Sequence, residues 1–292
     1  MKKSFIHKVK ALFGFSLLIS TPLFAQQIIY PSTQEEQASR FEDLIEILDT
    51  VMQKTQADFG DYELIPSEKN MTESRLLHEV RSGKQLDVIW SSTSPQKEKG
   101  LRAIRIPLRK GLLGYRLCFI HQENQSKFDH INNLEDLKAY HIGQGVGWGD
   151  VALYQHSDMH VEQAPYQSLF KMISLKRFDL FPRGVNEIFN ELSIYGPANP
   201  EMTIENSFII YYPWPYYFFT SKKNEALAVR IETGLERMIE DGSFEHIFMK
   251  YHQSSIKQAQ LYKRKLIRLE NPMLPVNTPI DNPKLWYFPN NI

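Results

Sequence analysis

One cysteine in 292 residues, Cys118, excludes an intrachain disulfide, so the fold has to rest on its apolar core. The nine histidines show neither H-E-x-x-H nor H-x-x-E-H spacing, and no second cysteine exists to complete a thiolate site, so no metal and no cofactor is expected. A G-x-S-x-G nucleophile elbow is missing, which removes the commonest serine-hydrolase signature. Charge of neither sign dominates: 34 Lys+Arg stand against 34 Asp+Glu, so no nucleic-acid partner is expected. Nor does any apolar run reach the roughly 20 residues that a membrane-spanning helix needs. Cys118 itself lies in "YRLCFI" and reads as a small buried apolar residue.

What is present begins with a three-part N-terminus. Lys2, Lys3, Lys8 and Lys10 precede the apolar "ALFGFSLLIS", and "TPLFAQQ" offers Ala25 before a polar continuation. This is the pattern of a cleaved secretory signal peptide over residues 1–25. Its removal takes four lysines and no acid, leaving a mildly acidic mature chain, expected to be soluble and periplasmic.

The next 65 residues read β-α-β-α-β. "QIIYP" and "DYELIPS" are strand-like, with Phe41, Leu44, Ile45, Leu48 and Met52 at helical spacing between them. "TESRLLHEVRSG" is a helix opened by Thr72 and stopped by Gly83, and "LDVIW" is a buried strand. "SSTSPQKEKG" is expected to be a polar loop. Gly111 and Gly114 then punctuate the approach to a further strand, at a position suited to a hinge. A second α/β unit follows, and "YYPWPYYFF" at 211–219 breaks an extended run at Pro213 and Pro215, suggesting a return crossing. Two helices flank Asp241-Gly242, and the last 30 or so residues have no clear period and should lie along the surface. Alternating strands and helices of this kind predict parallel sheets covered by helices.

Three segments resemble the extracytoplasmic solute-binding proteins of family 3, the amino-acid type. They are "INNLEDLKAYHIGQGVGW", "MISLKRFDLFPRGVNEI" and, most specific, "YYFFTSKKNEALAVRIETGLERMIEDGSFEHIFMKYH". The resemblance covers nearly all of residues 28–253. It implies an α/β, two-lobed periplasmic binding protein-like fold of type II, each lobe a mainly parallel sheet flanked by helices. Lobe 1 would comprise residues 26–109 and 213–253, lobe 2 residues 110–212, and a C-terminal helix and surface tail residues 254–292. Two departures stand out. The opening strand runs into polar "IIYPSTQEEQ", and the family's "T..R", whose Arg clamps a ligand α-carboxylate, is replaced by "SPQK", ending at Lys97. Lysine keeps the charge but cannot form the planar bidentate fork, so the resemblance does not imply an amino-acid ligand.

"GQGVGWGD" at 143–150 fits neither nucleotide pattern. G-x-G-x-x-G would need glycine at 148 or 150, where Trp148 and Asp150 stand, and no Gly-Lys-Ser/Thr follows. Its place between a strand and a helix start makes it either a ligand-contacting turn with Gly147 at its tip or a plain tight turn. Trp90 and Trp148 sit where strands end and clefts form, though core packing would explain them equally. Arg183 and Glu187 are spaced as a helix ion pair, yet the same geometry could aim Arg183 at an anion. Arg116 lies just past the hinge glycines, and Tyr212 and Trp214 lie on the crossing. These residues, with Lys97, form the candidate ligand site. The expected protein is a monomeric receptor closing on a small polar ligand, anions included, for a membrane permease or sensor. An enzyme on the same scaffold (dehydratase-like or related to the cell wall) and an accessory module docking through its aromatic tail stay open as alternatives.

Overall fold

The structure is a computed structural model and describes residues 25–32 and 40–289; the expected signal peptide, apart from Ala25, lies outside the described residues. The elements are β1 (Gln26–Tyr30), α1 (Glu42–Phe59), β2 (Tyr62–Pro66), α2 (Glu73–Ser82), β3 (Val88–Ser92), α3 (Pro95–Gly100) and β4 (Arg102–Ile104). Then come β5 (Tyr115–His121), α4 (Gln125–Phe128), α5 (Leu134–Leu137), β6 (His141–Gly145), α6 (Asp150–His156), β7 (His160–Ala164), α7 (Tyr166–Ser174), β8 (Phe181–Gly184) and α8 (Val185–Tyr195). The chain ends with β9 (Met202–Ile204), β10 (Phe208–Tyr211), β11 (Tyr216–Thr220), α9 (Glu225–Glu240), α10 (Ser243–Ala259) and β12 (Lys265–Arg268).

Two lobes result. In the first, β1 and β2 pair in parallel, and β11 runs antiparallel between β3 and β4. Leu44, Ile47, Leu48, Val51 and Met52 of α1 pack with Leu227, Ile231 and Leu235 of α9 in one apolar core. The spacing of these residues puts them on one helical face, which is why α1 forms and where it lies. In the second lobe the order is β12-β10-β5-β8, with β9 also on β5, and the parallel pair β6-β7 joins through a bridge from Ile142 to Leu180. Every residue of β5 is buried, because cores lie on both of its faces: Leu117 and Phe119 point one way, Cys118 and Ile120 the other. Burial pushes the Cys118 thiol well above its ordinary pKa, in keeping with an inert core residue.

Several local expectations shift. Ser94 accepts from the Lys97 N–H at 3.2 Å with Pro95 following, so "SSTSPQKEKG" contains the short helix α3 rather than a loop. Gly143 and Gly145 belong to β6, so the glycine turn proper is confined to residues 146–149. Arg183 lies within β8, not on the helix that carries Glu187.

The tail departs most. β12 adds in parallel to β10 and extends the second sheet. Beyond it the chain crosses to the first lobe, where Leu285 and Trp286 enter the core. Gly111, at φ 69°, has no Cβ to meet the Trp286 ring, which would lie 2.2 Å from one. Tyr287 N donates to the Lys110 carbonyl (2.7 Å) and the Tyr115 hydroxyl donates to the Tyr287 carbonyl (3.1 Å), pinning the tail beside the crossing. Helix α10 also spans the lobes, with Phe244 and Ile247 in the first core and Phe248 and Ala259 in the second.

Candidate functional site

A cavity of about 430 Å³ lies between the lobes, at the carboxyl ends of β3 and β6 and beside the crossing into β11. Trp90 of β3, Trp148 and Gly149 of the glycine turn, Arg116 of β5, Arg183 of β8, Glu187 of α8 and Trp214 all line it. The structure thus brings together six of the nine residues expected from the sequence.

The other three lie off the cavity wall. Lys97 Nζ turns back to Glu73 Oε1 (2.7 Å), Ser91 Oγ (2.8 Å) and the Ser92 carbonyl (2.9 Å), because α3 places it behind the wall that those residues form. Gly147 is exposed at the tip of the turn with φ 78°, and Gly149 is the glycine that reaches the cavity. Tyr212 is fully buried, its hydroxyl donating to Asp150 Oδ2 (2.7 Å) and its ring under the Arg116 guanidinium. It supports the floor and does not form it.

The second lobe supplies a buried ionic layer. Arg183 holds Glu191 through two bonds (2.7 and 2.6 Å) and approaches Glu187 at 3.2 Å, and its guanidinium stacks 4.6 Å from the Trp148 ring. That ring can fold inward because Gly145 beneath it has no Cβ, which would otherwise meet it at 2.3 Å. Arg116 pairs with Asp150 Oδ2 (2.8 Å) and lies 3.8 Å from Glu187, while its Nε is buried with no partner among the described residues. Asp150 opens α6 as this ion-pair partner, with Gly149 at the cap. Glu187 sits in the first turn of α8 and also accepts from Gly184 N at 3.2 Å. Burial pushes the Glu187 pKa up, but Arg183, Arg40, Arg116 and Arg109 outweigh it and hold the carboxyl at about 2. Burial would lower Arg183, yet Glu187 and Glu191 raise it well above its ordinary value.

The first lobe contributes groups that sequence reasoning missed. Arg40 reaches across the lobes to Glu187 Oε1 at 2.5 Å, and its carbonyl accepts from Arg109, itself paired with Asp43. Phe41 packs 5.7 Å from the Trp90 ring, and Tyr216 completes an aromatic wall. Glu73, at the start of α2, lines the cavity, as do Ser91 and Ser92. Three cations, Arg40, Arg116 and Arg183, therefore face three carboxylates, Glu73, Asp150 and Glu187. The arginines expected to neutralise an anion are already paired within the protein, so the site shows no preference for one.

No protein-family model matches the chain, and no curated protein sequence matches it. Solved structures do. An ancestral arginine-binding protein with arginine bound is 18% identical, with a TM-score of 0.55 over 78% of this chain and 97% of its own. An arginine-specific periplasmic binding protein of Salmonella typhimurium is 16% identical, with a TM-score of 0.56 over 78% of this chain and 100% of its own. A structure describing glutathione import in Streptococcus mutans through a cystine ABC importer gives 0.55 at 12% identity, over 78% and 95%. The chain has the two-lobed α/β fold of the periplasmic binding proteins. Within that class, it is the amino-acid ABC importers whose substrate-binding proteins it resembles in architecture, as its sequence segments imply.

Proposed function

We propose that the protein is a solute-binding receptor, exported to the periplasm, that holds a small polar solute between its lobes and presents it to a membrane permease or sensor. The observation that carries this reading is the interlobe cavity, whose size and mixed aromatic and polar lining suit a small organic molecule. The roles of these structural neighbours, binding of arginine and import of cystine or glutathione, agree with uptake of small solutes. Among the described residues no helix is long and apolar enough to cross a membrane. We place the lobe crossings near 110 and 212, where both strands of the antiparallel β5–β10 pair leave the second sheet. The working unit is a monomer that needs no cofactor.

Binding rather than turnover is the favoured chemistry. The surrounding arginines hold the Glu187 carboxyl below the usual carboxylate range, which suits a fixed ion-pair partner better than a general acid. The reading in which the aromatic tail docks a partner loses its main anchor, since Trp286 is spent on the first-lobe core. A thermal-shift screen of the purified chain against amino acids, organic acids, amines, sugars and short peptides tests the receptor reading. A solute at 100 times its Kd should stabilise the fold by roughly 2.7 kcal/mol. Trp90→Ala and Trp148→Ala should each weaken a genuine hit. A hit unaffected by both substitutions would move the site elsewhere.

A further inference from the structure

Resting on the receptor reading, we infer that the cleft selects an organic amine over a carboxylic acid, with Glu73 as the specificity-determining residue. The argument starts from which charged atoms in the cavity remain uncommitted. Glu187 gives Oε1 to Arg40 and Oε2 to Arg183, Arg116 and Gly184 N. The protein thus supplies its own carboxylate to the arginine cluster, at the position an acidic ligand would need. Expelling Glu187 would leave a buried charge unpaired, a cost that a weakly bound acid does not repay. Among the described residues lining the cavity, Arg40 is the only markedly exposed arginine, and it is committed to Glu187 across the lobes.

The carboxylates are not symmetrically spent. Both polar contacts of Glu73, from Lys97 Nζ (2.7 Å) and Ser91 Oγ (2.6 Å), fall on Oε1. Its Oε2 has no partner among the described residues, and its side chain is 57% exposed in the cavity wall. On the opposite lobe, Tyr212 and Arg116 both contact Asp150 Oδ2, leaving Oδ1 without a partner among the described residues. Each lobe therefore offers one open carboxylate oxygen, an acceptor that takes N–H donors and repels another carboxylate. Trp90, Trp148 and Trp214 line the same space, and the negative faces of tryptophan rings favour an ammonium group beside them. Lys97 has a part in this design: its three bonds hold Glu73 and Ser91 in place, so the lysine positions an acceptor and does not clamp an anion.

The test uses matched pairs of solutes in calorimetric titrations of the full chain: phenethylamine against phenylacetate, and putrescine against succinate. At least one amine should bind while its matched acid does not. Glu73→Gln should weaken that amine by about tenfold or more, the loss of one charge-assisted hydrogen bond, with an unchanged melting temperature. Glu73→Asp should recover part of the affinity, since it restores the charge at shorter reach. Binding of the acids as tightly as the amines, or amine affinity unchanged in Glu73→Gln, would overturn the assignment. Silence from both pairs alongside binding of another solute class would overturn it too, leaving the receptor reading intact. Silence across the broad screen as well would remove both.

Discussion

The two walls of the cleft solve opposite problems with the same residue types. On the second lobe, the Arg183 and Glu187 side chains are 3% and 7% exposed, inside a layer of mutually paired charges. On the first lobe, the Arg40 and Glu73 side chains are 36% and 57% exposed. Buried pairs fix geometry, because neither partner can be removed without stranding the other in a medium that solvates it poorly. Exposed charges contribute little to stability, and of these two only Glu73 keeps an atom, Oε2, without a partner among the described residues. The comparison assigns structure to one wall and selection to the other.

Removing Arg183 should break the structural wall most severely. Arg183→Ala leaves Glu187 and Glu191 buried with reduced compensation and should cost about 3–5 kcal/mol, read by chemical denaturation. Acid should reach the same wall by a different route. The Glu187 pKa lies below its unfolded value, so its stabilisation is fully present above about pH 4.5 and is lost as pH falls towards 2. Denaturation midpoints measured across that window should fall steeply for the parent chain and more gently for Glu187→Gln. A much smaller effect is expected at the lobe junction, where Arg40→Ala removes one half-exposed partner of Glu187. It should cost about 0.5–1 kcal/mol and lose even that at high salt. Smallest of all, Glu73→Gln should change stability by less than about 0.5 kcal/mol in the same denaturation assay. A large loss there would give the first lobe the structural burden assigned to the second.

The elements were legible in the sequence because local chemistry dictates them. Gly83 stops α2 in a left-handed conformation, and Gly242, at φ 81°, separates α9 from α10, as their surroundings in the sequence predict. The tryptophans at strand ends were read equally as cleft wall and as core, and Trp90 is both: it packs in the first-lobe core and lines the cavity. The state of the arginines was not. Whether Arg183 faces a ligand or Glu191 depends on a helical turn packing back onto β8, and that is a tertiary fact. Arg183 and Glu187 were read both as an ion pair and as ligand groups, and spacing alone could not weigh a third partner eight residues away. Glu73 and Arg40 escaped notice because each lies in an unremarkable polar stretch, brought to the cleft only by the placement of α2 and α1. Ser94-Pro95 did carry a readable signal, a capping residue followed by proline, for the helix that turns Lys97 away from the cavity.

The tail has a consequence for the order in which the molecule can be completed. Residues 265–268 supply the outer strand of the second sheet, and residues 285–286 fill a gap in the first core. Both arrive at the ribosome after everything they complete. A nascent chain that has already made β10 still has that strand's outer edge open, and one that has already made α9 still has a hollow where the Trp286 ring belongs. One late segment therefore adds the last strand to one lobe and the last core residues to the other.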